Sequence, residues 1–221
     1  MLNQEKSCSG VPEYEYEKAI LLASTRDLNG ALSILESRKS WGELKERAVL
    51  LQAKIYAAND KKSEAIVIID EYLDNHGGDA ALYYFKGKML NSQRKFSEAV
   101  DSFKASVIIA PNPESYQAAA VSYYALGQCD KAVSSIDQAV VLDEATFGDL
   151  GSMLVMSRCY ARKGKFVVST NALKMLLDKN PRAENNSDFQ AALASLRSKI
   201  AQAKEADDGS TDVHLVNLRD I

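Results

Sequence analysis

A small residue returns along this chain at nearly fixed spacing: Ala31, Ala65, Ala99, Ala132 and Ser169, separated by 34, 34, 33 and 37 residues. This feature limits the fold more than any other, because a period in this range marks a repeat architecture. A single unit of that size cannot bury its own apolar face, so units must stack. Stacked arrays present extended surfaces in place of enclosed active sites.

Other columns keep step with the small one. Twelve residues earlier stand Ala19, Ala53, Gly87, Ala120 and Ser157, so each unit carries two small positions. Nine residues before the anchor come Leu22, Tyr56, Leu90, Tyr123 and Tyr160; four after it come Leu35, Ile69, Phe103, Ile136 and Leu173. Within each half the offsets are three and four, which place side chains on one face of a helix. Each unit therefore reads as two amphipathic helices crossing at their small residues, where close approach is allowed.

Breakers fall where such hairpins need turns. Asn59-Asp60, Gly127 and Gly164 sit between the halves of units, while His76-Gly77-Gly78, Pro111-Asn112-Pro113 and Asn180-Pro181 separate units. Ser40 with Glu43 and Ser187 with Gln190 have capping-box spacing, and Asp79 is placed to cap a helix opening at Ala80. The longest interval locates an insertion at Asp143–Asp149. Trp41, the single indole, is expected to staple the first unit to the second.

On these residues the chain resembles the tetratricopeptide repeat family. Tyr83, Gly87, Leu90, Phe96, Ala99, Phe103 and Pro111 occupy the family's signature columns in one unit. Tyr116, Ala120, Tyr123, Gly127, Ala132, Ile136 and Ala139 do so in the next, and Tyr160, Gly164, Phe166, Leu173 and Pro181 in the one after. Glu15 and Lys62 depart from the pattern, and Ser169 stands where alanine is preferred. The resemblance implies an all-α, right-handed α-solenoid of antiparallel helix pairs over residues 12–206. Its repeats are expected at about 12–45, 46–79, 80–112, 113–149 and 150–183, with tails at 1–11 and 207–221. Residues 187–206, with Phe189, Ala192, Leu193, Leu196 and Ile200 at helical spacing, are expected to cap the array's open end.

Composition narrows the functional classes. With 221 residues, the units and an end helix leave no room for a catalytic domain. The net charge is −3 and the charges are interspersed, without the basic run that marks a nucleic-acid footprint. No apolar stretch approaches the about 20 residues that cross a bilayer. The start lacks the basic-then-apolar order of a signal peptide, so a soluble intracellular protein, most simply cytoplasmic, is expected. Three scattered cysteines, Cys8, Cys129 and Cys159, fit neither a disulfide framework nor a metal-ligand spacing; two core thiols and one tail thiol are expected. His76 and His214 have no serine or cysteine constellation beside them, and HGGDA lacks the spacing and lysine of a phosphate loop. No catalytic residue, cofactor or metal ligand is therefore assigned.

What remains is surface. In the resembled family the first helix of each unit lines a concave groove, and the matching positions include Arg47, Leu50, Lys54, Tyr84, Lys88, Asn91, Gln117, Tyr124, Leu154 and Arg158. Basic and aromatic residues there suit an acidic or aromatic segment of a partner protein. The two-carboxylate clamp of heat-shock-protein binders is not reproduced, since Leu50, Leu51 and Phe85 stand where it needs asparagine. The family's secretion chaperones are a more distant comparison, being generally shorter. In the tail, Val213, Leu215, Val216, Leu218 and Ile221 are apolar enough to dock on a partner or on the groove. The expected function is a non-catalytic protein-interaction scaffold. The alternative is a structural subunit packing through its convex face, end cap and tail, with homo-oligomerisation open.

Overall fold

A computed structural model describes residues 10–206 and 212–216, apart from the side chain of His214. Cys8, the break at residues 207–210, Leu218 and Ile221 lie outside the described residues. All regular structure described is helical. The helices are α1 (Pro12–Ser24), α2 (Leu28–Ser37), α3 (Lys45–Ala58), α4 (Lys62–His76), α5 (Ala80–Ser92), α6 (Phe96–Ile109), α7 (Pro113–Ala125), α8 (Cys129–Leu142), α9 (Leu150–Arg162), α10 (Phe166–Lys179) and α11 (Ser187–Ala206). Short 310 segments occupy Gly42–Leu44, Glu144–Gly148, Pro181–Asn185 and Val213–Leu215. The chain forms two compact units, one ending at Gln93 and the other beginning at Arg94. In the first, α1 packs on α2, and α3 on α4; in the second, α7 packs on α6 and α8, α9 on α10, and α9 also lies beside α7 and α11.

The small columns are the helix crossings. Ala19, Ala31, Ala53, Ala65, Ala99, Ala120 and Ala132 have no exposed surface, and Ser157 and Ser169 have almost none. The large column after the anchor is equally deep: Ile69, Phe103, Ile136 and Leu173 are fully buried. In the last pair both small positions are serine for a reason visible only in space. Ser157 and Ser169 hydroxyls lie 2.9 Å apart, and the Ser169 hydroxyl also donates to the Ser157 carbonyl at 2.8 Å. Each polar group is satisfied by the other helix, so a buried hydroxyl is tolerated.

Turns repeat as faithfully as helices. Five residues before each anchor the backbone is left-handed, at Arg26 (φ 67°), Asp60 (60°), Arg94 (61°), Gly127 (74°) and Gly164 (70°). The following N–H then reaches back to close the preceding helix, as Asp27 does to Leu22 (2.9 Å), Lys61 to Tyr56 (2.8 Å) and Gln128 to Tyr123 (2.9 Å). Glycine adopts this region freely, but arginine carries a cost of about 1–2 kcal/mol there. Arg26→Gly is therefore expected to stabilise the folded chain by about 0.5–1 kcal/mol, the gain being partly offset by glycine's greater unfolded freedom. A higher urea midpoint checks this; a lower one shows that the Arg26 side chain holds the turn.

Three first helices, α5, α7 and α9, are capped by Asx side chains. Asp79 accepts from the Leu82 N–H (2.7 Å), Asn112 from Ser115 (2.8 Å) and Asp149 from Ser152 (2.7 Å). The two capping boxes expected from serine do not form. Residues 42–44 wind into a 310 turn, which moves the start of α3 to Lys45, beyond the reach of Ser40. At α11 the cap is Asn186, which accepts from Asp188 (2.8 Å) and Phe189 (3.3 Å), while Gln190 reaches back to the Glu184 carbonyl. The 310 segment Glu144–Gly148 fills the lengthened interval, with Thr146 buried beneath it.

Second helices α4, α6 and α8 start from left-handed turns and have no side-chain cap. Helix α10 receives one from far along the chain: the Asp212 carboxylate accepts the N–H groups of Phe166 (2.5 Å) and Val167 (3.2 Å). Lys204 holds the same segment through the Val216 carbonyl at 3.3 Å. Val213 and Val216 are buried as residues 212–216 pack on α10 and α11, whereas Leu215 is 68% exposed. Leu215 is left outward, because Val213 and Val216 take the inward positions of the 310 turn.

Trp41 sits between α2 and α3, 3% exposed. Its indole N–H donates to the Leu35 carbonyl at 3.2 Å, and Tyr16 meets it edge-on at 6.3 Å. Arg38 lies over the indole at 5.4 Å while pairing with Glu15 at 2.5 Å.

Candidate partner-binding groove

In the C-terminal unit, α7, α9 and α11 enclose an open cavity of about 180 Å3. Small residues from α9 and α11 make its floor: Ser157, Ala161, Ala192 and Ser195. Tyr124, Arg158, Arg162 and Lys199 stand around it, and among the described residues no carboxylate lines it. Arg158 and Arg162 are four residues apart on α9, as are Ser195 and Lys199 on α11, so each pair shares a helix face. Arg162 is oriented by Tyr124, whose ring lies 4.5 Å beneath the guanidinium and whose hydroxyl accepts from it at 3.1 Å. Arg162 thus rests on an aromatic support, and Arg158 and Lys199 line the same cavity.

Two groove residues expected from the sequence, Tyr124 and Arg158, line this cavity. Leu154, four residues before Arg158, is 4% exposed and belongs to the core, because α9 is flanked by both α7 and α11. Gln117 is occupied structurally, its amide donating to the Thr146 hydroxyl at 3.2 Å. Arg162, Ser195 and Lys199 were not among the expected positions. Their signal was present: Arg162 continues the Arg158 face by one turn, and α11 extends the series of first helices instead of only closing it.

In the N-terminal unit, exposed Arg47 lies 5.0 Å over the Tyr16 ring and exposed Lys88 lies 5.5 Å over Tyr84. Lys54 is exposed, Asn91 is half-buried and Leu50 packs on the core cluster of α3, α4 and α5. This unit's cavity of about 370 Å3 lies elsewhere, between α2, α3 and α4, and Glu36 and Glu71 line it beside Trp41, Tyr72 and His76. His76 is stacked on Tyr72 at 4.6 Å, so this turn histidine serves packing. Burial, with Glu46 and Asp79 nearby, pushes the Tyr72 phenol above its usual range. Tyr56 is pushed up first by its 2.6 Å hydrogen bond to Glu36. With Arg38 and Lys45 beside Glu36 and Glu71, the lining of this cavity is of mixed charge. Among the described residues, no cluster of three or more His, Cys, Asp or Glu is arranged to hold a metal ion. None of the described helices is long and apolar enough to cross a membrane.

The expectation of two core thiols at Cys129 and Cys159 is overturned. Cys129, at the first turn of α8, and Cys159, in α9, form a disulfide with Cα atoms 5.3 Å apart. Their separation of 30 residues is close to one repeat, and adjacent repeats bring the start of one second helix beside the following first helix.

Residues 19–141 match the sequence profile of ChAPs, the Chs5p-Arf1p-binding proteins, over more than half of the chain. The chain belongs to the ChAPs family. The ChAPs match includes Tyr124 and ends before Arg158, Arg162 and Lys199. No curated protein matches this ChAPs chain in sequence. Solved structures share its fold. YrrB, a TPR protein described as having an unusual peptide-binding site, aligns with a TM-score of 0.67 at 18% identity, over 88% of this chain and 95% of YrrB. A tetratricopeptide repeat protein from Parabacteroides merdae aligns at 0.68 and 16% identity, over 88% and 79%. A double mutant of MamA RS-1 aligns at 0.67 and 15% identity, over 80% and 97%. The fold is thus the all-α class of antiparallel helix pairs seen in tetratricopeptide repeats.

Proposed function

We propose that the chain is a non-catalytic protein-interaction scaffold that receives an acidic segment of a partner in the C-terminal groove. The observation that carries this reading is the convergence of Arg158, Arg162 and Lys199 beside Tyr124, with no carboxylate among the described lining residues. Guanidinium groups take carboxylates through paired, charge-assisted hydrogen bonds, and Tyr124 supplies rigid apolar area. A family named for binding proteins and a structural neighbour with a peptide-binding site support the class of work.

The test is binding of a fluorescent Asp/Glu-rich peptide to the full chain, followed by anisotropy. Arg158→Glu, Arg162→Glu and Lys199→Glu together are expected to weaken it by about 100-fold or more, since each removes a charge-assisted contact and adds repulsion. Far-UV circular dichroism checks that the variant remains folded, since Arg158 and Lys199 are half-buried and Arg162 rests on Tyr124. Unchanged peptide affinity in the folded variant overturns the groove assignment.

A second reading has its own observation. Ile108 and Val141 are 82% and 79% exposed at the C-terminal ends of α6 and α8, each followed by another exposed apolar residue, Ile109 and Leu142. Exposed apolar ends on two second helices favour a structural subunit packing through them.

A further inference from the structure

Cys129 and Cys159 differ in exposure, surroundings and reach. Cys159 is fully buried. Cys129 is half-buried and opens to a solvent-connected cavity of about 470 Å3, lined by Gln128, Asp130, Lys131, Arg162 and Lys163. The Arg162 guanidinium contacts the Cys129 sulfur at 3.8 Å. Lys163 is paired with Asp130, the carboxylate in that lining, and Lys131 lies 5.7 Å over Tyr123. Helix α8 begins at Cys129, so its unpaired N-terminal N–H groups add positive potential at the same sulfur. A cation and a helix N-terminus together favour the thiolate, which is the reacting form. One sulfur is placed to react with solutes, and the other to resolve the product.

We propose that Cys129 and Cys159 form a reversible thiol–disulfide site, oxidised by hydrogen peroxide and reopened by a dithiol, with Cys129 as the reacting sulfur. In the forward direction the Cys129 thiolate attacks one peroxide oxygen and the O–O bond breaks. With one proton taken up, water leaves and Cys129 becomes a sulfenic acid. The Cys159 thiol then attacks that sulfur, forming the S–S bond and releasing a second water. Two thiols are oxidised and one peroxide is reduced. In reverse, one sulfur of a dithiol attacks Cys129 and expels the Cys159 thiolate; its second sulfur then closes a cyclic disulfide and frees Cys129. The same Arg162 that meets Cys129 is held by Tyr124, so the redox site adjoins the basic groove.

The experiment uses the reduced full chain with Cys8→Ser, treated with hydrogen peroxide and followed by alkylation and mass spectrometry. Two thiols are expected to disappear together, with a Cys129–Cys159 linked peptide appearing and then lost on dithiothreitol treatment under native conditions. In Cys159→Ser, Cys129 is expected to accumulate as a sulfenic acid trapped by dimedone; in Cys129→Ser, the Cys159 thiol is expected to persist. Arg162→Gln is expected to slow thiol loss about three- to tenfold, the loss of thiolate fraction being partly offset by the higher nucleophilicity of the more basic thiolate. Alkylation rates of the reduced protein, with Cys129 faster than Cys159, give the same ranking without altering either cysteine. Equal reactivity of the two thiols overturns the proposal, as does a disulfide that dithiothreitol opens only in denaturant.

Discussion

Trp41→Ala is expected to destabilise the N-terminal unit by about 3–5 kcal/mol, the range for deleting a fully buried aromatic side chain. Three interactions are lost together: the hydrogen bond to the Leu35 carbonyl, the edge contact with Tyr16 and the platform under Arg38. The cavity left behind cannot close easily, since Ala48 and Ile55 of α3 belong to the same buried cluster. Trp41→Phe separates the terms. It keeps most of the apolar volume but removes the donor, and is expected to cost about 1–2 kcal/mol. Urea unfolding by circular dichroism measures both. Equal and small losses in the two variants would show that the indole is peripheral to the stability of α1–α3.

Ala132→Leu is expected to cost about 1–3 kcal/mol through overpacking. Ala132 on α8 has no exposed surface, and neither has Ala120 on α7, the helix it crosses. A leucine there can be accommodated only by moving the helices apart or forcing a poor rotamer, and dense packing makes both costly. Ser134→Leu, two positions along α8 and exposed, is expected to stay within about 0.5 kcal/mol of the wild type. Thermal melting of the two variants checks the contrast. If they melt alike, the small column is not a crossing point.

These two substitutions also mark how far the sequence could be read. The buried columns from Ala31 to Ser169, the hairpin turns and the insertion before α9 were legible because each depends on local periodicity and on residue size. Turn chemistry was only half legible. Gly127 and Gly164 announce left-handed backbone, but Arg26 and Arg94 adopt it without any residue signal, Arg26 beside the closing bond from the Asp27 N–H to the Leu22 carbonyl. The capping boxes at Ser40 and Ser187 failed for the converse reason. A 310 turn shifted one helix start, and Asn186 was better placed to cap the other.

The groove was legible in part. Tyr124 and Arg158 fall on the expected helix positions, while Leu154 is drawn into the core and Gln117 is taken by Thr146. Spacing counted from an anchor fixes which face a residue occupies, but not how deep a neighbouring helix buries it. Lys199 was hidden by treating α11 only as a cap.

By itself the sequence determined that this chain would be a series of paired helices, which residues would be buried at their crossings, and that no recognisable catalytic constellation accompanies them. Those properties follow from periods of three, four and about 34 residues, which are written along the chain. Only the tertiary structure decided which surface residues converge. Stacking sets residues about one repeat apart side by side, which joins Cys129 to Cys159 and brings Arg162 to Tyr124. It also lets Asp212 cap a helix that begins at Phe166. Convergence of that kind depends on helix orientation and burial, quantities that no linear spacing contains.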